Sequence, residues 1–158
     1  MAKQKNECDL NSCFLCRLCI KEWLPAVDAQ RKNYHFKKGE LLFREGEPAN
    51  QFYLIESGQV AVETREKASD TTVVQTLHNG EVLGWSWLFP PFVWHFQARA
   101  VEPTSAIILN GARLLATAER NHEFGYEMMK RVAQVAIHRL QATRKQLIAL
   151  QMESAMEG

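Results

Sequence analysis

Four cysteines, Cys8, Cys13, Cys16 and Cys19, fall within twelve residues, and the rest of the chain holds none. Their spacing is C-x4-C-x2-C-x2-C. Thiolates are soft ligands that favour Zn²⁺ or iron–sulfur clusters. Zinc sites of the finger or ribbon type place two C-x2-C pairs a dozen or more residues apart, whereas here one short loop carries all four. Overlapping C-x2-C-x2-C is closer to the run that wraps a [4Fe–4S] cluster. Phe14, Leu15, Leu18 and Ile20 are interleaved to shield such a cluster, and Lys3, Lys5, Arg17 and Lys21 offset its negative charge. Structural zinc, a thiol/disulfide switch and unliganded surface cysteines stay open as alternatives. Covalent haem attachment is excluded, because Ile20 rather than His follows the last C-x-x-C pair.

The second concentration of unusual residues runs from Gly80 to Ala100. It holds Trp85, Trp87 and Trp94, three of the four tryptophans, with the adjacent Pro90–Pro91 pair. That much rigid apolar surface does not suit a solvated loop, so the stretch should be a buried, irregular segment that lines or plugs a pocket. His95 has the chemistry of a metal or haem ligand, but a lone His among aromatics is more commonly a hydrogen-bonded structural residue. The acidic pairs Glu45/Glu47 and Glu63/Glu66 sit on turn-like segments and read as solvated. No P-loop, Rossmann fingerprint, H-E-x-x-H or G-x-S-x-G elbow is present, so nothing marks an enzyme.

The elements that must position these residues follow from texture. The 158 residues, 46% hydrophobic and 23% charged, suit one globular domain, and a net charge of +1 supplies no field for nucleic acid or anionic lipid. The charged N-terminus lacks an apolar core, and no apolar run is long enough for a membrane span, so a cytoplasmic protein with reduced thiols is expected. Residues 21–30 fit a short helix limited by Pro25. From residue 31, short β-rich runs are punctuated by glycine turns every 8–12 residues: Tyr34–Phe36, Leu41–Phe43, Phe52–Ile55, Val60–Val62 and Val73–Leu77. This indicates an antiparallel sandwich or barrel. Ala98–Val101 and Ala106–Leu109 read as two more strands, with a polar stretch at 64–71 between Val62 and Val73.

From about residue 111 the period becomes helical. Ala112–Glu119 fits a short helix, and Asn121 is placed to cap a long one. Met129, Ala133, Ala136, Leu140, Thr143, Leu147 and Leu150 recur at alternating three- and four-residue steps, a heptad seam. A second stripe, Phe124, Met128, Val132 and Val135, lies beside its start. A helix of about 30 residues, ~45 Å long, with two apolar stripes needs two partners. The early stripe should pack on the β domain, and the seam on a second copy. The chain then divides into a cysteine arm (1–20), a β-roll (21–120), a dimerisation helix (121–152) and a tail (153–158), with no linker marking a hard boundary.

These residues together resemble the cyclic-nucleotide-binding, or Crp/Fnr-like, sensor domain. The echoes are Gly39-Glu40-x-Leu42-Phe43-x-x-Gly46-Glu47, Phe52-Tyr53-Leu54-Ile55-x-Ser57-Gly58-x-Val60, Gly80-Glu81-Val82-Leu83-Gly84 and Arg139-Leu140-Gln141-Ala142-Thr143. They cover roughly residues 25–150. The resemblance implies a mainly β fold with added α: an antiparallel roll (double-stranded β-helix) of eight or so strands with a pocket between the sheets. It also implies a short helix of the central stretch over that pocket and a long C-terminal helix that dimerises. Transcription factors of this family continue into a helix-turn-helix domain. This chain ends at Gly158 without one, so direct DNA binding is not expected.

Family members that bind cyclic nucleotide use a Glu after the second Gly of G-E-x-x-G for the ribose and an Arg with a small hydroxyl residue for the phosphate. Here the Glu position is Trp85, and aligning Arg99-Ala100 puts Trp94 and His95 where the Arg and hydroxyl residue belong. Arg99 is the alternative phosphate ligand, with a poorer fit in spacing. Exchanging guanidinium for indole removes a bidentate, charge-assisted pair. Gly84, Trp85, Ser86, Trp87, Trp94, His95, Arg99 and Thr143 are therefore the pocket candidates, with cyclic AMP in the usual manner disfavoured. The pocket is expected either to be filled by its own aromatics or to take a flatter, more apolar ligand.

Fnr-like oxygen sensors also carry cysteines ahead of this fold, using three N-terminal ligands and one from the roll. This roll has no cysteine, so Cys8 would complete the set. The leading expectation is a non-enzymatic sensor of redox state, oxygen or nitric oxide that acts through a partner protein. A small-molecule or cyclic-nucleotide module with structural zinc, and an electron-transfer accessory protein, are the alternatives.

Overall fold

The computed structural model describes residues 32–67, 70–84 and 86–157. The cysteine segment, the short helix expected at 21–30 and Trp85 lie outside the described residues. Among the described residues eight strands form: β1 (Lys32–Phe36), β2 (Leu41–Phe43), β3 (Gln51–Ser57), β4 (Val60–Lys67), β5 (Asp70–Leu77), β6 (Val82–Leu83), β7 (Gln97–Ala100) and β8 (Thr104–Asn110). They make two antiparallel sheets, ordered β1-β8-β3-β6 and β2-β7-β4-β5. This is the β-roll implied by the resemblance. The sheets close over Phe52, Ile55, Val60, Leu77, Ala98, Ala100, Ala106 and Leu109, all essentially without solvent contact.

One turn chemistry recurs three times. In Lys37–Glu40, Arg44–Glu47 and His78–Glu81 the third residue is a glycine at φ 86°, 86° and 81°, a left-handed conformation that costs a side-chain-bearing residue strain. The glutamate that follows folds back, and its carboxylate accepts the N–H three residues earlier: Lys37 at 2.8 Å, Arg44 at 3.3 Å and His78 at 2.6 Å. The Gly-Glu pairs are thus turn-closing devices, with the glutamates satisfying otherwise unpaired donors.

Of the polar stretch expected between strands at 64–71, residues 64–67 and 70–71 are themselves strand. β4 and β5 pair antiparallel, with Thr64 opposite Thr72 and Arg65 opposite Thr71. Glu63, read from sequence as part of a solvated turn, is a buried residue of β4 instead. Its carboxylate accepts from Gln97 Nε2 at 2.6 Å and lies 3.4 Å from Arg99 Nε. A charged residue can be buried when its partners come with it, and those partners are 34 and 36 positions away in sequence.

Two helices follow: α1 (Gly111–Arg120) and α2 (His122–Glu157). Asn110 caps α1 through Arg113 N–H (3.0 Å), and Asn121 caps α2 through Phe124 N–H (3.1 Å). Residues 153–157, taken from sequence as a tail, continue α2; Glu, Ala and Met are good helix formers, and neither Pro nor Gly interrupts them. Phe124 and Met128 enter the roll's core, with Val132 and Val135 packed against its edge. The expected seam residues Met129, Ala133, Ala136, Leu140, Thr143, Leu147 and Leu150 are all exposed, as is every residue from 141 to 157. Phe124→Ala should cost about 3–5 kcal/mol, read as a lowered urea midpoint. A loss well under ~1 kcal/mol would show that α2 is not anchored in the core.

Candidate functional site

The central stretch turns out to be compact and tied at both ends. β6 pairs with β3, setting Leu83 opposite Tyr53 and Val82 opposite Leu54. Gly84 follows at φ 100°. A short 3₁₀ turn, Ser86–Leu88, then buries Trp87 and Leu88. Trp87 packs edge-on to Phe52, with ring centroids 6.0 Å apart, and lies so close to Gly111 that a Cβ there would fall 2.7 Å from its ring.

Trp94 is held from two directions. Its backbone is zipped to the 44–49 loop: Gly46 N–H donates to Trp94 O (2.8 Å), Trp94 N–H to Glu47 O (3.0 Å) and Ala49 N–H to Phe92 O (2.7 Å). Its indole is buried and stacks on Phe43 at 3.9 Å and 15°, with Tyr53 tilted against both rings. The far edge of the indole reaches Gly84, where a Cβ would sit 3.0 Å from Trp94 Cη2 and 2.8 Å from the Gln51 carbonyl. Gly84 thus serves twice, adopting a left-handed φ and leaving space for an indole.

The other candidates separate. Ser86 is half-buried at the start of the 3₁₀ turn, and His95 is exposed. Among the described residues, no group of three or more His, Cys, Asp or Glu side chains converges as a metal site. Strand alternation turns Ala98 and Ala100 into the core and Arg99 to the opposite face. There Arg99 donates to Gly39 O (2.8 Å), pairs with Glu63 and lines an open cleft of about 430 Å³ with Glu40, Leu41, Arg44 and Glu47. Phe43, stacked on Trp94, also lines that cleft, but neither Gly84 nor Trp94 does. Thr143 is exposed on α2, its hydroxyl bonded to the Arg139 carbonyl at 2.9 Å.

Three functional-looking residues escaped the sequence reading of the site. Phe43 and Tyr53 complete the aromatic box, although both stand inside quoted echoes. Arg139 reaches from α2 to the roll and donates to the Val82 carbonyl, inside Gly80–Gly84. Burial lowers its pKa, opposed by the nearby Glu81 carboxylate; an arginine stays charged regardless. It too stands inside a quoted echo, Arg139-Leu140-Gln141-Ala142-Thr143.

The family model of the cyclic nucleotide-binding domain matches residues 34–121. The chain belongs to that family. Solved structures agree in fold. A protein of Geobacter metallireducens GS-15, described as cyclic nucleotide-binding, is 28% identical, with 76% of this chain and 86% of that one covered and a TM-score of 0.68. A cyclic nucleotide-binding domain from Methylobacillus flagellatus KT is 18% identical (76% and 67% covered, TM-score 0.69). The Thermus thermophilus catabolite activator protein is 22% identical with a TM-score of 0.64; the match covers 85% of this chain and 62% of that longer one. No curated protein matches the chain.

Two expectations test this geometry. Gly84→Ala combines a disfavoured φ with contact against backbone and indole, so it should destabilise by roughly 2–4 kcal/mol. Gly80→Ala, with no neighbour within 4 Å of its Cβ, should cost about 1 kcal/mol; equal losses would refute the close packing.

Tyr53 donates to Gln51 Oε1 (2.7 Å) and Leu42 O (3.3 Å). Burial, with the Glu47 carboxylate adding to it, pushes its phenol up to about 12. A raised pKa favours the neutral form in the fold, so this contribution is complete below the unfolded value of about 10 and fades as pH climbs towards 12. Chemical denaturation should show wild type losing roughly 2–3 kcal/mol more than Tyr53→Phe across that window. Parallel curves would contradict the burial.

Proposed function

We propose that this chain is a non-enzymatic regulatory sensor, a Crp/Fnr-like dimer whose chemistry resides in the cysteine segment rather than in a nucleotide pocket. The observation that carries the reading is the position of Trp94. By the spacing of the resemblance, counted back from Arg99-Ala100, it stands where the phosphate-binding arginine belongs, and its indole is buried against Gly84. An anionic phosphate placed there would meet an aromatic box with no cation in it. Arg99, the remaining candidate, faces away. The pocket is therefore filled by its own side chains, and cyclic AMP is not bound in the usual manner.

Cys8, Cys13, Cys16 and Cys19 would hold a [4Fe–4S] cluster. Four thiolates on one short loop suit it better than the two separated knuckles of a zinc site. When bound, the cluster supplies a group sensitive to oxygen, nitric oxide or redox state. The chain's own contribution is to link that arm to the roll through β1, and the roll to α2 through Phe124, Met128 and Arg139. The exposed heptad residues of α2 would pair with a second copy, and the helix pair is the element a partner protein reads. Consistent with a cytoplasmic site of action, no helix of the described residues is long and apolar enough to cross a membrane.

The test is the visible spectrum and metal content of the full chain purified without oxygen. A brown protein with about four iron atoms per chain, lost on Cys→Ser substitution at any of the four positions, is expected. Colourless protein holding zinc, or one that cannot be reconstituted with iron and sulfide, would overturn the assignment. A cluster that cycles reversibly and survives air would point to electron transfer instead.

A further inference from the structure

The sheet β2-β7-β4-β5 ends in an unusual strand. β5, Asp70–Leu77, pairs among the described residues with β4 alone. Terminal strands are commonly blunted by short length, by lysine or proline, or by bulges, because their free N–H and C=O groups template further pairing. β5 is eight residues long and contains no Lys, Arg, Pro or Gly. Its valines, Val73 and Val74, are 55% and 42% exposed. The register against β4 shifts twice: it steps from Gln75 to Val73, leaving Val74 as the extra residue of a bulge in β5, and it shifts again on the β4 side between Arg65 and Lys67, beside Asp70. A bulge also leaves that residue's backbone groups without a ladder partner.

We propose that β5 is an interaction edge whose occupant is β5 of a second copy, added antiparallel about a two-fold axis. The chemistry of the strand is self-complementary in that arrangement. Centred between Val73 and Val74, it sets Val73 opposite Val74, Thr72 opposite Gln75 and Thr71 opposite Thr76. These are β-branched and hydrogen-bonding pairs of the kind that stabilise neighbouring strands. Asp70 falls opposite Leu77, so no like charges meet. A strand with a charged side chain at its centre would oppose itself in this geometry, and β5 has none. The contact is isologous and closes on itself. A single eight-residue ladder falls short of the ~1,200–2,000 Å² of a stable interface, so the association is weak and depends on concentration. It is distinct from the α2 seam and would link helix-paired dimers into larger assemblies.

Light scattering of the full, reduced chain over a range of concentrations tests this. Wild type should grow beyond a dimer as concentration rises. Val73→Lys should abolish that growth, and Val74→Lys, at the other exposed valine of the strand, should do the same. Leu147→Glu, which disrupts the seam, should leave a concentration-dependent dimer, and adding Val73→Lys should halve its mass to monomer. Should the helix pairing itself fail, Leu147→Glu is silent and Val73→Lys alone yields monomer, which still supports the edge. Circular dichroism unchanged from wild type guards against misfolding. Wild type whose mass never rises with concentration, or association indifferent to Val73→Lys and Val74→Lys, would overturn the proposal, and an extended segment of another protein would be the occupant to seek.

Discussion

The contact between the Trp94 indole and Gly84 fixes the middle of the molecule. It brings three chain segments to one point: the end of β6, the approach to β7 and, through Phe43 stacked on the same indole, β2. Each segment is independently committed. Gly84 is in a left-handed conformation, Phe43 belongs to the core, and the backbone around Trp94 is bonded to the 44–49 loop. Because interiors are packed like solids, a ring lodged at such a junction cannot be moved without moving its neighbours. The space beside Gly84 on that side is taken by the Trp94 indole.

The second consequence concerns α2. Its first half is part of the roll's core, while its second half stands clear of it. The transition falls near Arg139, whose guanidinium is bonded to the strand that leads into Gly84. A hydrogen bond from a buried cation is among the stronger single contacts a protein can make, and leaving its partner unmet would be costly. The direction of the free helix is therefore tied to the Gly80–Gly84 segment. The links between the roll and the helix are Phe124, Met128 and Arg139.

Much of this was legible in the sequence, for identifiable reasons. Glycines that close turns recur at strand-length intervals, so seven of the strands and their antiparallel nature could be read directly, whereas β6, two residues long at the start of the aromatic stretch, could not. The two stripes of α2 separated cleanly because their periods differ by face, and Asn121 marked its start. The face of a strand residue was harder. Arg99 and Ala98 differ by one position, and a one-residue change of register exchanges core for surface, so Arg99 remained a pocket candidate until its pairing was known. Glu63 was misjudged because its partners, Gln97 and Arg99, are far away in sequence. The glutamates of the Gly-Glu pairs were visible as a motif, but their role as turn caps needed geometry.

The most direct test of whether indole packing has replaced nucleotide recognition is calorimetric titration of the full chain with cyclic AMP. No saturable heat is the predicted result, since the space beside Gly84 is filled and the phosphate would find no cation there. A stoichiometric, saturable isotherm would contradict it, and would mean that Trp94 moves aside to admit the nucleotide.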